Sequence, residues 1–251
     1  MNYRMLPIAG LAIAAALPLA ATADTLGFRV SADSWRQQFD GYVQDGPDRI
    51  DINDTLGIDD ETNNMFSVSF EHPVPFLPNI SLTRTKLDVS ASNTINQSFT
   101  FDNVTYTVTD QVKTNADLSH TDATLYYEVL DNWVSLDLGL TIRKFDEGVQ
   151  LRSSAGTAKL DLDVVIPMLY VATKFDLPLT GLYIGADVNG ISFRGSSLID
   201  YKINIGYESS IGLGIEAGMR RFDINYEDNN DSSQQADVTI DGAYAGLFYH
   251  F

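Results

Sequence analysis

The chain contains no cysteine. That excludes a disulfide framework, a thiolate metal centre and the acylated N-terminal cysteine of a bacterial lipoprotein. Basic residues are scarce: 16 Lys and Arg stand against 34 Asp and Glu, a formal charge of −18. So negative a surface repels nucleic acid and excludes it as a partner. Beyond the N-terminus, long hydrophobic runs are missing. The longest, 164–172, contains Pro167 and falls short of the ~18 residues that a spanning helix needs. Walker, Rossmann and HExxH patterns are also missing, so no cofactor and no catalytic metal are expected.

Among the features present, the N-terminus is the simplest to read. Arg4 supplies a positive n-region, residues 6–20 an apolar h-region, and Ala21-Thr22-Ala23 an A-x-A cleavage site. Residues 1–23 therefore read as a secretory signal peptide, leaving 24–251 as one domain. The rest of the chain alternates with period 2, the signature of strands whose two faces meet different surroundings. The pattern is clearest where Val134, Leu136, Leu138, Leu140 and Ile142 interleave with Ser135, Asp137, Gly139, Thr141 and Arg143. Ten such segments can be counted: 25–33, 65–71, 80–89, 118–129, 134–143, 160–175, 182–191, 199–208, 211–220 and the C-terminal strand. In the third the apolar phase changes midway, which suggests a bulge, and a second bulge is expected at Pro167 because proline cannot donate to a ladder.

The connections fall into two classes. Those after strands two, four, six and eight are short, carrying prolines or tight turns, whereas those after strands one, three, five and nine are long and mostly acidic. Residues 36–64 and 223–237 read as acidic loops, and 90–116 as a hairpin projecting beyond a membrane. Short periplasmic turns with longer extracellular loops are the pattern of outer-membrane barrels, and only a closed barrel pairs every backbone group at membrane depth with strands. A soluble sandwich or lipocalin-like barrel would alternate too. The signal peptide, the loop asymmetry, an aromatic C-terminus and Trp35 and Trp133 near strand ends favour an all-β, closed antiparallel transmembrane barrel of ten strands in the cell outer membrane.

Phe251, Tyr249 and Leu247 end the last strand, and together they resemble the assembly signal of Gram-negative outer-membrane barrels. Three further stretches extend the likeness: Asp54 to Glu61, the His-Pro-Val-Pro-Phe-Leu-Pro-Asn turn, and the Gly-Tyr-Glu ending at Glu208. With the C-terminal strand they resemble a family of small outer-membrane β-barrels whose members have no assigned function. The resemblance implies a fold, a location and two partners: outer-membrane lipid with lipopolysaccharide, and the assembly machinery acting on the C-terminal strand.

Candidate chemistry is sparse. Of three histidines, His72 lies in a proline-rich turn and His250 at a strand end, both interface positions. His120 shares the inward face with Asp122 near the extracellular end of its strand. Omptin-like proteases use Asp/His and Asp/Asp pairs at that end, and barrel lipid A deacylases a Ser-His-carboxylate set, so a hydrolase at the extracellular rim is the alternative to a structural or narrow, porin-like pore. Ser119 has the wrong parity to join. The stretch 51–57 departs from an EF-hand, since Thr55 and Leu56 stand where a ligand and glycine belong, which leaves only loose divalent cations at the acidic loops. Inward positions carry both signs: Arg29, Arg143, Lys202 and Arg220 against Glu71, Asp137, Asp187, Asp200 and Glu216. Charges confined in a narrow interior must pair, so a crosslinked, mostly closed lumen is expected.

Overall fold

A computed structural model describes residues 26–228 and 234–251. The expected signal peptide, 1–23, lies outside the described residues, as does the stretch 229–233. The described residues form seventeen strands: β1 (Gly27–Asp45), β2 (Arg49–Asp51), β3 (Glu61–Glu71), β4 (Asn79–Thr85), β5 (Asp88–Thr94), β6 (Phe99–Phe101), β7 (Val104–Tyr106), β8 (Gln111–Asp117), β9 (His120–Leu130), β10 (Val134–Phe145), β11 (Gly148–Arg152), β12 (Thr157–Asp161), β13 (Val165–Asp176), β14 (Leu182–Phe193), β15 (Ser196–Glu208), β16 (Leu213–Glu227) and β17 (Gln234–His250). Ten of them, β1, β3, β4, β9, β10 and β13 to β17, pair antiparallel in that order, and β17 returns to β1. The barrel is closed. Closure removes the free edges that an open sheet would expose, and the chain ends are locked by reciprocal bonds: Phe28 N to Phe251 O at 2.7 Å and Phe251 N to Phe28 O at 3.0 Å.

Around its lower part the barrel shows lipid an apolar outer wall. Leu138, Leu140, Leu169, Ile184, Ile203, Ile215 and Leu247 all point outward and are exposed. At one end, four short turns join the strands (72–78, 131–133, 177–181 and 209–212); this is the turn end. At the other, the loop end, several strands continue well past the apolar wall.

That continuation corrects the sequence-based layout. The stretch 36–64 is not one long loop: β1 runs unbroken to Asp45, β2 folds back on it, and β3 begins at Glu61. Likewise β16 runs to Glu227 instead of ending near Arg220. The reason is an exchange of surroundings. In β1 the inward parity reads Arg29, Ser31, Asp33 and then Trp35 and Phe39, whereas the outward parity passes from Val30 and Ala32 to Arg36 and Gln38. The strand does not change register; its two environments change places. The same holds in β4, where outward Leu82 gives way to Arg84 and the inward line reaches the buried Leu87. The expected phase change there is this crossing of the membrane boundary, followed by a short break at 86–87. Nor is Pro167 a bulge. It faces outward within β13 opposite Ile142, and the irregularity lies at 162–164, where Val164 N bonds to Leu162 O at 2.7 Å.

Above the barrel, β5, β8, β11 and β12 form a second sheet in the order β12-β11-β8-β5. The β6–β7 hairpin turns at Asp102 and Asn103, whose φ values of 45° and 60° are those of a two-residue turn with left-handed backbone. One core joins these pieces. Ile50, Ile52, Leu56 and Ile58 from the β1–β3 connection, Leu87 from the break before β5, Phe99, Phe101 and Tyr106 from the hairpin, and Val112 and Leu151 from the second sheet pack with Trp35, Phe145 and Phe222 of the barrel wall. Tyr106 donates to the Leu151 carbonyl at 3.0 Å, so the phenol is buried with its hydrogen bond made.

Candidate functional site in the lumen

The lumen is built in tiers, and strand register decides which charges meet. At its roof, just beneath the apolar core, Arg143 and Asp122 face each other across the β9–β10 pair. The Arg143 guanidinium donates to Asp122 through Nε at 2.8 Å and Nη2 at 2.7 Å, and Nη2 also reaches Asp200 at 2.7 Å. Arg220 forks onto the same Asp200, at 2.9 and 2.6 Å. Two cations and two carboxylates thus form one buried chain spanning the barrel. The planar forks match the carboxylates in bidentate fashion, the strong form of such bonds. Desolvating four charges is costly, and their mutual pairing offsets that cost, although Arg143 Nη1 is buried without a hydrogen bond.

Aromatic rings sit directly on the roof. Arg220 lies 4.6 Å from the Trp35 ring and Arg143 5.0 Å from that of Phe222, distances suited to cation–π attraction. Phe145 stacks near Phe222 at 16°. His120, wholly buried, fills the angle between these two rings, at 5.3 and 5.7 Å. Its Nδ1 lies 2.9 Å from the Leu118 carbonyl, to which only an N–H can bond, and Nε2 then faces Arg220 as an acceptor at 3.4 Å. Both ring nitrogens are therefore engaged within the roof. Ser119 is buried as well and accepts the Leu87 N–H at 3.0 Å.

Below the roof lies a cavity of about 950 Å³ whose rim is the turn end, with Leu26, His72, Asn132, Ser210 and Phe251 at the edge. On its wall Lys202 meets its register partner Asp187 at 3.3 Å. Lower down, Arg29 donates to Glu216 at 2.8 Å and stacks 3.6 Å over Phe248, while Tyr183 donates to the same Glu216 at 2.7 Å. Glycine makes room for these rings: a Cβ on Gly206 would stand 2.3 Å from Tyr183 Cζ, and one on Gly214 2.1 Å from Phe248 Cζ. Glu71 accepts the Tyr126 hydroxyl at 2.8 Å, and the Oδ1 of Asp137 is buried without a hydrogen bond.

The nine lumen charges named from the sequence thus separate into groups. Arg143, Asp200 and Arg220 come together at the roof, Asp187 with Lys202 on the wall, and Arg29 with Glu216 nearer the rim. Glu71 and Asp137 form no ion pair among the described residues. Asp122, read from the sequence beside His120 as candidate chemistry, is instead the bidentate partner of Arg143, and neither His120 nor Asp122 reaches the outer surface. His250 approaches Glu208 at 3.3 Å, and His72 Nδ1 accepts the Val74 N–H at 3.3 Å, both at the turn end. Leu247, Tyr249 and Phe251 face outward along β17. The sequence reading turned Tyr126 and Tyr170 inward but gave no lumen role to them, to Tyr183 or to the roof aromatics Trp35 and Phe222. Their inward parity was legible, but an aromatic above Asp33 was read as part of a loop.

These features define the class: a ten-stranded transmembrane β-barrel in the outer membrane, with buried ion pairs inside it. No protein-family model matches the sequence, and no curated protein matches it. Among solved structures the chain is similar to the outer-membrane protease OmpT of Escherichia coli, with a TM-score of 0.52 at 10% identity over 92% of this chain and 98% of that one. A FadL homologue of Pseudomonas aeruginosa gives 0.35 at 10% identity over 90% of each chain. OprG of the same organism gives 0.28 at 9% identity over 90% of this chain and 95% of that one. Of these three, the OmpT match is the one with a TM-score above 0.5, and at 10% identity it shows a likeness of fold alone.

Proposed function

We propose that this protein is an integral outer-membrane barrel with a structural role, sealed toward the cell exterior and open toward the periplasm as a polar vestibule. One observation carries the reading: the apolar core of Trp35, Phe145 and Phe222 rests on the buried Asp122–Arg143–Asp200–Arg220 chain. A pore needs a continuous wet path, and packed side chains with paired charges leave none at this level. Orientation follows the rule that periplasmic turns are short and extracellular connections long. The apolar wall supports lipid and lipopolysaccharide as partners, and the outward Leu247, Tyr249 and Phe251 support engagement by the assembly machinery. An extracellular hydrolase has less support, because His120 has both nitrogens occupied and a packed core lies between the pair and the outside.

Planar-bilayer recording tests the reading. The wild-type chain should give no large, steady steps. Exchanging the β6–β7 hairpin, residues 96–109, for a short turn together with Trp35→Ala should produce them. Porin-sized steady conductance from the wild type would overturn a sealed barrel and make a diffusion channel the function.

A further inference from the structure

The second sheet continues one sector of the barrel wall upward. Its order, β5-β8-β11-β12, repeats the order β4-β9-β10-β13 below it. Val89, Val112, Leu151 and Ala158 turn into the core, so the opposite face carries on the lipid-facing side of the wall. Register sorts that face into levels. Leu82, Ala123 and Ile142 stand in one row across β4, β9 and β10, and Arg84, Thr121 and Lys144 stand in the next row up. In each row the smallest side chain is the middle one, so a shallow track runs up β9 between larger neighbours. Arg84 donates to Thr121 Oγ1 at 3.2 Å and pairs with Asp146, while Lys144 approaches Asp163 only at 3.7 Å. The two cations are 43% and 59% exposed, directly above the apolar wall.

Higher on the same face, about 13 Å along the strands, lies a groove of about 300 Å³. Gly148 contributes no side chain to its lining, and a Cβ there would meet the Leu160 carbonyl oxygen at 1.9 Å. Ser90, Asn115, Gln150 and Lys159 form one row across the four strands, and all four line the groove. Hydroxyl, amide and ammonium groups at this density suit a sugar, whose hydroxyls both donate and accept. Asp88, Asp117 and Glu147 also line it. Carboxylates accept sugar hydroxyls but repel a phosphate, which confines an anionic group to the Arg84–Lys144 level. A phospholipid would use the lower levels alone, and a free oligosaccharide the groove alone. One molecule engages the whole sector only if it carries acyl chains, phosphate and sugar together.

We infer that this sector binds one phosphorylated glycolipid of the outer leaflet, with an acyl chain along the β9 track, a phosphate between Arg84 and Lys144, and sugar in the groove. The inference rests on the reading that lipopolysaccharide is a partner and the loop end faces outward, and it gives that partner a site. Its test is native mass spectrometry of the full chain refolded in detergent, titrated with lipopolysaccharide truncated to lipid A and inner-core sugars. The expected result is one tightly held lipid per barrel, bound at least tenfold more weakly by Arg84→Gln/Lys144→Gln and equally well by Arg36→Gln/Arg221→Gln elsewhere on the wall. Asn115→Ala/Gln150→Ala should abolish the preference for this lipid over lipid A without sugars. Folding of each variant is read from heat-modifiable migration; if the double charge variant fails to fold, Ala123→Leu, which fills the track, should weaken binding severalfold. Equal retention of phosphatidylglycerol, insensitivity to these variants, or equal loss in Arg36→Gln/Arg221→Gln would overturn the proposal. Insertion into vesicles free of lipopolysaccharide, followed on the same gels, tests the membrane reading by itself, so failure of the site and failure of that reading are separate results.

Discussion

The lower and upper halves of this barrel are built from the same strands with opposite chemistry. Below Asp33 the inside is polar, with Arg29, Lys202 and Glu216 facing one another, and the outside is aliphatic. Above it the inside is a core of Trp35, Phe39 and Phe222, and the outside carries Arg36, Arg84, Lys144 and Arg221, each beside an acid: Asp60, Asp146, Asp163 and Asp223. The lower half obeys the rule for a strand in lipid, the upper half that for a strand in water. Between them lies the roof, where two arginines touch both carboxylates and aromatic rings. The two media therefore meet inside the barrel at nearly the height where lipid gives way to water outside.

If the halves differ in this way, damage should rank by which boundary it breaks. The largest loss is expected from Arg143→Ala, which strands Asp122 in a buried site and leaves Asp200 to Arg220 alone. Removing one partner of such a cluster costs about 3–5 kcal/mol, read as a lower urea midpoint for refolding into lipid vesicles. An unchanged midpoint would mean that the roof is hydrated. Phe222→Ala should follow at about 3 kcal/mol, the lower end for truncating a buried phenylalanine. Its effect should fall on the upper half, as earlier proteolysis of the 86–119 region.

The outer wall gives a contrast one residue wide. Leu138→Arg puts a charge among lipid tails at a cost of about 2–4 kcal/mol, whereas Asp137→Asn on the inner face should cost little, since it relieves the repulsion from Glu71 and Asp131. Equal tolerance of the two in the same refolding titration would contradict the face assignment of β10. Smallest of all should be Arg221→Gln. Its pair with Asp223 at 2.9 Å lies on the exposed outer wall, where such pairs are worth about 0–1 kcal/mol.

The same inversion explains what could be read from the sequence. The strand count, the closure and the outward residues of the lower half were legible because period-2 alternation has one meaning in lipid. Val134 to Arg143 could be assigned residue by residue. The upper half was misread where the meaning of parity reversed: Arg36 and Arg221 on formerly apolar positions looked like the start of loops, although Trp35 and Phe222 kept the alternation going. The roof was half visible. Arg143, Asp200 and Arg220 were placed inward from parity alone, but which acid meets which base depends on register around the closed barrel, which no local pattern encodes. Asp122 was noticed for its neighbour His120, while its actual partner stands on the next strand.

Sidedness of the lumen is the central claim, and the absence of native cysteine makes it directly measurable. A single cysteine at Ser69 lines the vestibule, and one at Ser154 marks the exposed tip of the β11–β12 hairpin. Intact cells would be treated with a membrane-impermeant maleimide too large for general porins but slender enough to enter the vestibule. Ser154→Cys should then label at once and Ser69→Cys not at all, until the outer membrane is opened and reagent reaches the periplasm. Labelling of Ser69→Cys from outside at the rate of Ser154→Cys would contradict a barrel closed by its loop-end core.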